Sequence, residues 1–368
     1  MDLLKYKNIY RYFGLIVIFS IYVFCSKSPV DIEELERHQI KVFGIIDTDT
    51  VWESGKDYLV CGQLTVEENV LLNIQPDVRI ILSEDSAGNR GKLYVKGGIN
   101  ADGKDLNTPI LFYSGDGNSW GMDIYVGSPP SNFIFCNFEH LLYGINVTQC
   151  ALNVNNCSFN YCKSGVIINK SDSVSIKNSD FIDNDIGIKL ELSRGISDSS
   201  ISISRNNFNK CNEVAIEITN GSSAIIFDNI FHNCYDGIYS KYNSNVYIVY
   251  NDFKIINNGV EFWEAPNGIV RRNNFSGGQI FININLYSNP SINKNNFLNC
   301  NDYKIKLFYK DPSARIDAIN NWWDTTNKTD IENFVFDGND VTADDRSGVV
   351  EIEPFELNLV TECGVRNN

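Results

Sequence analysis

Aspartate side chains are the groups in this 368-residue sequence whose spacing comes nearest to a catalytic arrangement. Cleavage of a glycosidic bond needs an acid and a second carboxylate held roughly 5 to 9.5 Å apart. The candidates are Asp180, Asp183, Asp185, Asp228, Asp236 and Asp252. Asp180 and Asp252 each precede a phenylalanine of a repeating pattern, but Asn207 and Ile230 occupy that position in the repeats between them. The sequence therefore predicts no continuous acidic strip.

Basic side chains that could remove a proton are few. Sugar lyases use a lysine, arginine or histidine as a base beside an acidic cluster. The histidines are His38, His140 and His232. His232 with Asp228 and Asp236 is the tightest His/Asp grouping, but it lies in a turn-forming part of the repeat. Arg271, Arg272 and Lys294 could form a local basic strip on an otherwise acidic chain.

Metal and cofactor signals are weak. The acidic residues Asp337, Asp340, Asp344 and Asp345 could hold calcium through oxygen ligands, and a solvated acidic loop is the alternative. The sequence has no Cys-x-x-Cys pair, calcium nonapeptide, phosphate-binding loop or nucleophile elbow. We therefore predict no cofactor, with calcium as the one open possibility.

The amino terminus predicts export. Three basic residues precede an apolar run at positions 13–24, which is short for a membrane span and typical of a signal peptide. Cys25 and a polar stretch follow, and this arrangement resembles a bacterial lipoprotein signal, which implies that Cys25 is lipidated. An uncleaved signal anchor is the alternative. Without residues 1–24 the chain carries 28 basic and 45 acidic residues, a net charge of −17, which argues against nucleic acid as a partner.

A repeat of about 22 residues organises the rest of the chain. Its marker phenylalanines are Phe138, Phe159, Phe181, Phe208, Phe231, Phe253, Phe275 and Phe297, spaced 21, 22, 27, 23, 22, 22 and 22 residues apart. This period is typical of short-strand solenoids. An asparagine two residues before most of these phenylalanines predicts an amide ladder, and the phenylalanines predict one inward aromatic column. Cysteines three residues after several of them predict buried free thiols, with Cys211 and Cys234 as the one pair close enough to test for a disulfide.

Two regions resemble a known family. Trp52 and residues 58–62 (YLVCG), 72–76 (LNIQP), 93–97 (LYVKG) and 108–110 (TPI) resemble the opening coils of bacterial secreted β-helix proteins of the pectate-lyase-like superfamily. Residues 320–326 (NNWWDTT) resemble the tail of the same proteins, and Trp322 or Trp323 is expected to plug the core. The resemblance implies an all-β, single-domain right-handed parallel β-helix of roughly a dozen rungs with a short C-terminal helical cap. We assign 1–24 to the signal peptide, 25–50 to a lipid-anchored tether, 51–323 to the β-helix and 324–368 to the cap.

Functional residues are expected where the repeat breaks. The excess length between Phe181 and Phe208 fits residues 191–199, residues 261–266 form a second irregular stretch, and the acidic tail is the third. The weak catalytic candidates are Asp183, Asp185, Arg194 and Asp198, and the binding candidates are Glu191, Arg194, Trp263, Arg271 and Arg272. Convergence of the catalytic set within hydrogen-bond reach would favour an enzyme.

The sequence thus predicts an exported cell-envelope lipoprotein. It would be anchored at the outer membrane, at the cell surface or on a periplasmic face, and would act as a binding or scaffold protein for an extracellular polysaccharide or a surface protein. The alternative is a polysaccharide lyase or glycoside hydrolase, which the resemblance allows and the scattered carboxylates argue against.

Overall fold

The chain folds into a long stack of short strands. The computed structural model describes residues 39–115, 117–194, 201–254, 256–308, 311–341 and 348–366. The strands in these residues are β1 (Gln39–Ile46), β2 (Thr50–Trp52), β3 (Asp57–Val66), β4 (Leu71–Ile74), β5 (Arg79–Ser83), β6 (Lys92–Val95), β7 (Gly98–Asp102), β8 (Ile110–Ser114), β9 (Gly121–Ile124), β10 (Ser131–Ile134), β11 (Cys136–Glu139), β12 (Tyr143–Thr148), β13 (Leu152–Asn155), β14 (Ser158–Asn160), β15 (Ser164–Asn169), β16 (Val174–Lys177), β17 (Asp180–Ile182), β18 (Ile186–Glu191), β19 (Ile201–Ser204), β20 (Asn207–Asn209), β21 (Val214–Thr219), β22 (Ser223–Phe227), β23 (Ile230–His232), β24 (Asp236–Lys241), β25 (Asn245–Val249), β26 (Asp252–Lys254), β27 (Asn258–Trp263), β28 (Asn267–Arg271), β29 (Asn274–Ser276), β30 (Ile280–Asn285), β31 (Ser291–Asn293), β32 (Asn296–Leu298), β33 (Tyr303–Phe308), β34 (Arg315–Asp317), β35 (Val335–Phe336) and β36 (Val349–Glu351). One short helix, α1 (Lys328–Glu332), is also described.

Each turn of the chain contributes one strand to each of three parallel ladders. We call them the short, the long and the third ladder. The third ladder is the 11-stranded sheet that runs from β2 through β13 and β25 to β31. The short ladder runs from β5 through β14 to β32, and the long ladder runs from β6 through β15 and β27 to β33 and β35. β3 pairs with both β5 and β6 and so joins these two ladders at the amino-terminal end. The predicted right-handed parallel β-helix of about a dozen turns is confirmed.

A column of phenylalanine rings fills the core. Neighbouring rings from Phe112 to Phe275 stack with centroids 4.6–5.1 Å apart. Trp323 is fully buried and lies 5.0 Å from Phe297, so it closes the column as predicted for one of the two tryptophans. The column forms because equivalent inward residues of parallel in-register strands stand about 4.8 Å apart, which is a stacking distance for aromatic rings.

The predicted asparagine ladder is also confirmed. It comprises Asn206, Asn229, Asn251, Asn273, Asn295 and Asn321, all of which are buried. From Asn229 onward, each side-chain oxygen accepts hydrogen bonds from the backbone N–H and the amide group of the asparagine one turn before it, at 2.8–3.1 Å. The ladder therefore satisfies buried backbone donors at one corner of the turns that it spans.

Glycine occupies the second position of several long-ladder strands, where there is little space beside the aromatic column, and Ala215 occupies the same position in β21. A Cβ on Gly187 would lie 2.9 Å from the Phe208 ring and 2.5 Å from the Ala215 carbonyl oxygen. The glycine bend thus leaves room for the aromatic column.

The described cysteines are free thiols. Cys136, Cys150, Cys157, Cys162, Cys211 and Cys234 are buried, and Cys211 and Cys234 form no disulfide. The predicted inward packing of these thiols is confirmed. Burial raises the pKa of Cys162 to about 12, which keeps this thiol uncharged at neutral pH.

The first described strand begins before the predicted boundary at residue 51. β1 pairs in parallel with β3, with Gln39 opposite Asp57, so at least eight residues assigned to the tether belong to the β-helix. Cys25 and the rest of the amino-terminal segment lie outside the described residues. No helix in the described ranges is long and apolar enough to cross a membrane.

The carboxyl-terminal segment does more than cover the last turn. α1, β35 and β36 lie at the end of the stack, in agreement with the predicted short helical cap. Residues 356–366, which we call the strap, then run back along the asparagine-ladder corner. The backbone N–H of Val360 donates to the Asn296 side chain at 2.9 Å, and that of Gly364 donates to the carbonyl oxygen of Arg272 at 2.9 Å. The strap ends at Arg366, which pairs with the buried Asp228 at 2.7 Å.

Candidate functional site

The predicted catalytic candidates do not converge. Asp183 lies 3.8 Å from the Lys210 ammonium, and Asp185 accepts from the Asn212 amide at 3.2 Å. Arg194 donates to the carbonyl oxygen of Gly221. The described atoms show no hydrogen bond that joins Asp183, Asp185 and Arg194 to one another, and Asp198 lies outside the described residues. The arrangement that would have favoured an enzyme at this place is not observed.

Side chains of the predicted basic strip and of the His/Asp grouping make contacts with the strap. Arg272 donates to Glu362 of the strap at 2.6 Å and to the Tyr250 hydroxyl at 3.1 Å. Asp228 pairs with Arg366 and not with His232. These groups hold the strap onto the corner, so they are not open for a ligand.

Glu191 and Arg271 also take part in local structure. Glu191 accepts a hydrogen bond from the Asn220 amide one turn further on, at 3.1 Å. Arg271 is the last residue of β28 and is half-buried, with its Nε enclosed at the corner. Neither side chain belongs to a described groove.

The predicted calcium ligands serve as turn caps. Asp337 accepts from the backbone N–H groups of Asn339 and Val350 at 2.8 and 2.9 Å, and Asp340 accepts from that of Asp337 at 2.9 Å. Asp344 and Asp345 lie outside the described residues. Across the described ranges, no group of three His, Cys, Asp or Glu side chains is arranged to hold a metal ion.

Trp263 leads to a different cluster, on the outward side of the long ladder. We call this side the long-strand face. Its outward residues fall into columns because the first, fourth and sixth residues of each strand point away from the core. Lys189, Glu217, Tyr239 and Glu261 follow one another in the middle column on four successive turns. Chemically reactive and aromatic groups from separate turns therefore stand side by side.

Glu217 is the charged centre of this cluster. It is 7% exposed, and its carboxylate lies 2.5 Å from the Lys241 ammonium and 3.6 Å from that of Lys189. Lys241 also lies over the Tyr239 ring, 4.8 Å from its centroid. A buried carboxylate between two ammonium groups fixes both lysines on the face.

Asp236 and Glu261 are the two carboxyls of the cluster whose pKa values are raised. Burial raises the pKa of Asp236 to about 6 and that of Glu261 to about 7, with repulsion between the two as a further cause for Glu261. Asp236 accepts from the Asn258 amide at 2.8 Å, and Glu261 accepts from the Asn285 amide at 3.1 Å. Near neutral pH, Glu261 is therefore partly protonated and can donate a hydrogen bond or a proton.

A groove lies among these side chains. It has a volume of about 350 Å³ and is lined by Ile186, Glu217, Tyr235, Asp236, Tyr239 and Lys241. We call it the central groove. Trp263 is half-buried and is paired in register with the lining residue Lys241 on the following turn, so it lies one turn beyond the groove on the same face. The arrangement offers aromatic surface, paired charges and protonatable carboxyls within a few turns.

Sequence reasoning singled out Trp263 but missed Glu217, Tyr239 and Lys241. Their positions follow from a signal present in the sequence, since each lies a fixed distance after the strand-opening position of its repeat. The insertion at residues 191–199 shifts the numbering between Lys189 and Glu217, which hides this column unless the strands are aligned individually.

The stacked ladders define a right-handed parallel β-helix with its candidate site on one sheet face. The family described as "Right handed beta helix region" matches residues 117–253 and 195–368, which together cover more than half of the sequence. The chain belongs to this family. No curated protein and no solved structure matches it.

Proposed function

We propose that this chain is an exported β-helix protein, lipid-anchored at Cys25 to the cell envelope, that binds a glycan at the central groove. The observation that carries the proposal is that Tyr239 and Trp263 lie on neighbouring strands of one sheet face that also carries the fixed polar groups of the groove. The lipoprotein-like amino terminus and the pectate-lyase-like opening coils support export and the kinship with secreted polysaccharide-acting proteins.

The groove suits a sugar for physical reasons. Aromatic rings offer flat apolar surface to the C–H faces of a pyranose, and binding sites add a few precisely placed polar groups that fix orientation. Asp236 and Glu261 are held by neighbouring amides, and Lys241 is held by Glu217. Because these groups are already ordered, binding costs little additional side-chain entropy.

The test is binding of the full-length chain to an array of glycans, followed by titration of the best ligand. Trp263→Ala and Tyr239→Ala should each raise Kd about tenfold, about 1.4 kcal/mol. Tyr247→Ala is the matched control, because Tyr247 is 38% exposed and lies on the third ladder, a different sheet from the one that carries the groove. Equal effects of all three substitutions, or no glycan binding, would contradict the proposal, and the latter would favour a protein partner.

A second candidate function is glycan cleavage, favoured by the raised pKa values of Asp236 and Glu261. The two residues come from successive strands of the long ladder, one strand spacing of about 4.8 Å apart along the stack and three residues, about 10 Å, apart along the strand. If their side chains lean toward each other, they could act as base and acid respectively. Two carboxyls with different pKa values can divide the roles, because the one with the higher pKa, Glu261, keeps a proton to donate while Asp236 is ionised.

Cleavage is tested by product release from the glycan that binds, with a separate assay for uronate release. If the chain cleaves the glycan, Glu261→Gln should abolish product formation and leave binding intact. Binding without turnover by the unmodified chain would exclude this second function and leave the first.

The lipid anchor is tested by labelling cells with a radioactive fatty acid. The unmodified chain should incorporate the label, and Cys25→Ala should not. Equal labelling of both would refute the anchor.

A further inference from the structure

A second aromatic group lies on the long-strand face, nearer its amino-terminal end. It consists of Tyr94, Trp120, Tyr125 and Tyr143, which we call the aromatic cluster. The rings of Trp120 and Tyr143 lie 5.7 Å apart, and those of Tyr94 and Tyr125 lie 4.9 Å apart. Trp120 is 40% exposed and Tyr125 is 43% exposed. Large aromatic side chains this exposed and this close together form more apolar surface than stability of the fold requires.

Polar groups hold the cluster in place. Asp123 lies directly opposite Tyr94 in the ladder, accepts a hydrogen bond from the Asn146 amide at 2.8 Å and forms an ion pair with Lys92. The ammonium group of Lys92 also lies over the Tyr94 ring, 5.5 Å from its centroid. Aromatic rings fixed by a buried ion pair and an amide are preorganised in the same way as those at the central groove.

The cluster and the central groove lie on one line. Tyr143, Ser164, Ile186, Val214 and Asp236 are in register on successive turns of the same column. Four turn spacings separate Tyr143 from Asp236, a distance of about 19 Å along the stack. The intervening column holds a serine and two aliphatic residues, so no large charged side chain interrupts the line.

Several of the charges near this line are held in ion pairs. Lys92 pairs with Asp123, and Lys189 and Lys241 pair with Glu217. The chain as a whole carries a net charge of −15, which disfavours approach of an anionic polymer. An uncharged glycan meets neither this long-range repulsion nor the cost of separating these ion pairs.

We propose that the aromatic cluster is a second sugar-binding subsite, and that an uncharged glycan polymer lies along the stack axis and contacts both the cluster and the central groove. This inference rests on the proposed function, because it takes the central groove as the first subsite. It predicts that affinity increases with glycan length until the chain reaches from Asp236 to Trp120.

The experiment is titration calorimetry on the full-length chain with cellulose-, xylan-, mannan- and chitin-derived hexasaccharides, with their disaccharides, and with oligogalacturonate as the charged comparison. At least one uncharged hexasaccharide should bind more tightly than its disaccharide. Trp120→Ala should weaken hexasaccharide binding about tenfold and leave disaccharide binding unchanged, whereas Tyr239→Ala should weaken both.

Separate outcomes overturn the subsite and the proposed function. Hexasaccharide binding that is weakened by Tyr239→Ala but not by Trp120→Ala overturns the subsite alone. Tighter binding of oligogalacturonate overturns the assignment of an uncharged ligand. No binding of any of these glycans overturns both proposals.

A second variant guards against a folding defect at Trp120. Tyr125→Ala removes an exposed ring from the same cluster and should also weaken only the longer ligand. Thermal unfolding of each variant, with Tyr247→Ala as the control, shows whether the fold is intact. An intact Tyr125→Ala variant with unchanged hexasaccharide affinity would count against the subsite.

Discussion

Replacement of Asn251 by aspartate should convert one step of the asparagine ladder into a pH-dependent defect. Asn251 is fully buried, and its amide nitrogen donates to the Ile226, Val249 and Asn273 oxygens at 2.9–3.0 Å. Its side-chain oxygen accepts from the backbone and the amide of Asn229. An ionised carboxylate keeps the acceptor but faces three oxygens where the amide had donated, so its charged form is strongly disfavoured.

The magnitude follows from linkage. A carboxyl with an unfolded pKa of about 3.9 and a folded pKa raised by about 3 units loses about 4 kcal/mol of stability at neutral pH. The stability of the Asn251→Asp variant falls as the pH rises, because its folded state binds one more proton than its unfolded state. The penalty is therefore small near pH 4 and grows by about 1.4 kcal/mol per pH unit as the pH rises. Asn251→Ala, which leaves the partners of the amide without hydrogen bonds, should cost about 3 to 5 kcal/mol at every pH.

The assay is urea unfolding followed by circular dichroism, with each variant compared with the unmodified chain from about pH 4 to about pH 7. Asn301→Asp provides the control, since Asn301 is exposed and its change should be nearly neutral throughout. A constant penalty for Asn251→Asp across this range would refute the assignment of Asn251 as a buried donor.

Further predictions concern the core, the strap and the acidic pair. Phe208→Ala should lower the free energy of unfolding by about 3 to 5 kcal/mol, because its ring stacks on both neighbours, and Phe208→Leu should cost less; equal urea midpoints would contradict this. Arg366→Ala should cost about 1 to 3 kcal/mol by leaving Asp228 buried without its partner, and a double-mutant cycle with Asp228→Asn should show coupling. Because the pKa values of Glu261 and Asp236 are raised to about 7 and about 6, stability should fall as pH rises from about 4 to about 7, and Glu261→Gln should flatten this fall in urea midpoints; an unchanged slope would argue against the raised pKa.

The inward half of this molecule could be predicted from the sequence for a simple physical reason. Inward residues of a solenoid pack against their own equivalents, so the phenylalanines and ladder asparagines must repeat in sequence as they repeat in space. Phe231 and Asn229 illustrate this, since each contacts the same residue type one turn away. The fold followed from that regularity.

The outward half could not be predicted in the same way. Outward residues need not match their neighbours, and Lys189, Glu217 and Tyr239 share a column although they share no chemistry. Asp183 lies near other aspartates in sequence, but it has a φ of 54° at a corner, and its carboxylate lies 3.8 Å from the Lys210 ammonium. Residues that are close in sequence do not share a site here, because the fold places some of them at corners and others on sheet faces.

The strap was beyond sequence reasoning because its contacts are non-local. Arg272 and Glu362 are 90 residues apart, and Arg366 and Asp228 are 138 residues apart. Nothing in the repeat predicts such pairs. Their consequence for function is direct, since they occupy a basic strip that otherwise would have been a plausible ligand site.

Covalent footprinting of exposed aromatic residues by mass spectrometry, with and without the bound glycan, shows directly whether the glycan occupies the long-strand face. We expect Trp263 and Tyr239 to become protected on this face and Tyr247 on the third ladder to stay equally reactive. Protection of Tyr247 with unchanged labelling of Trp263 and Tyr239 would contradict this expectation.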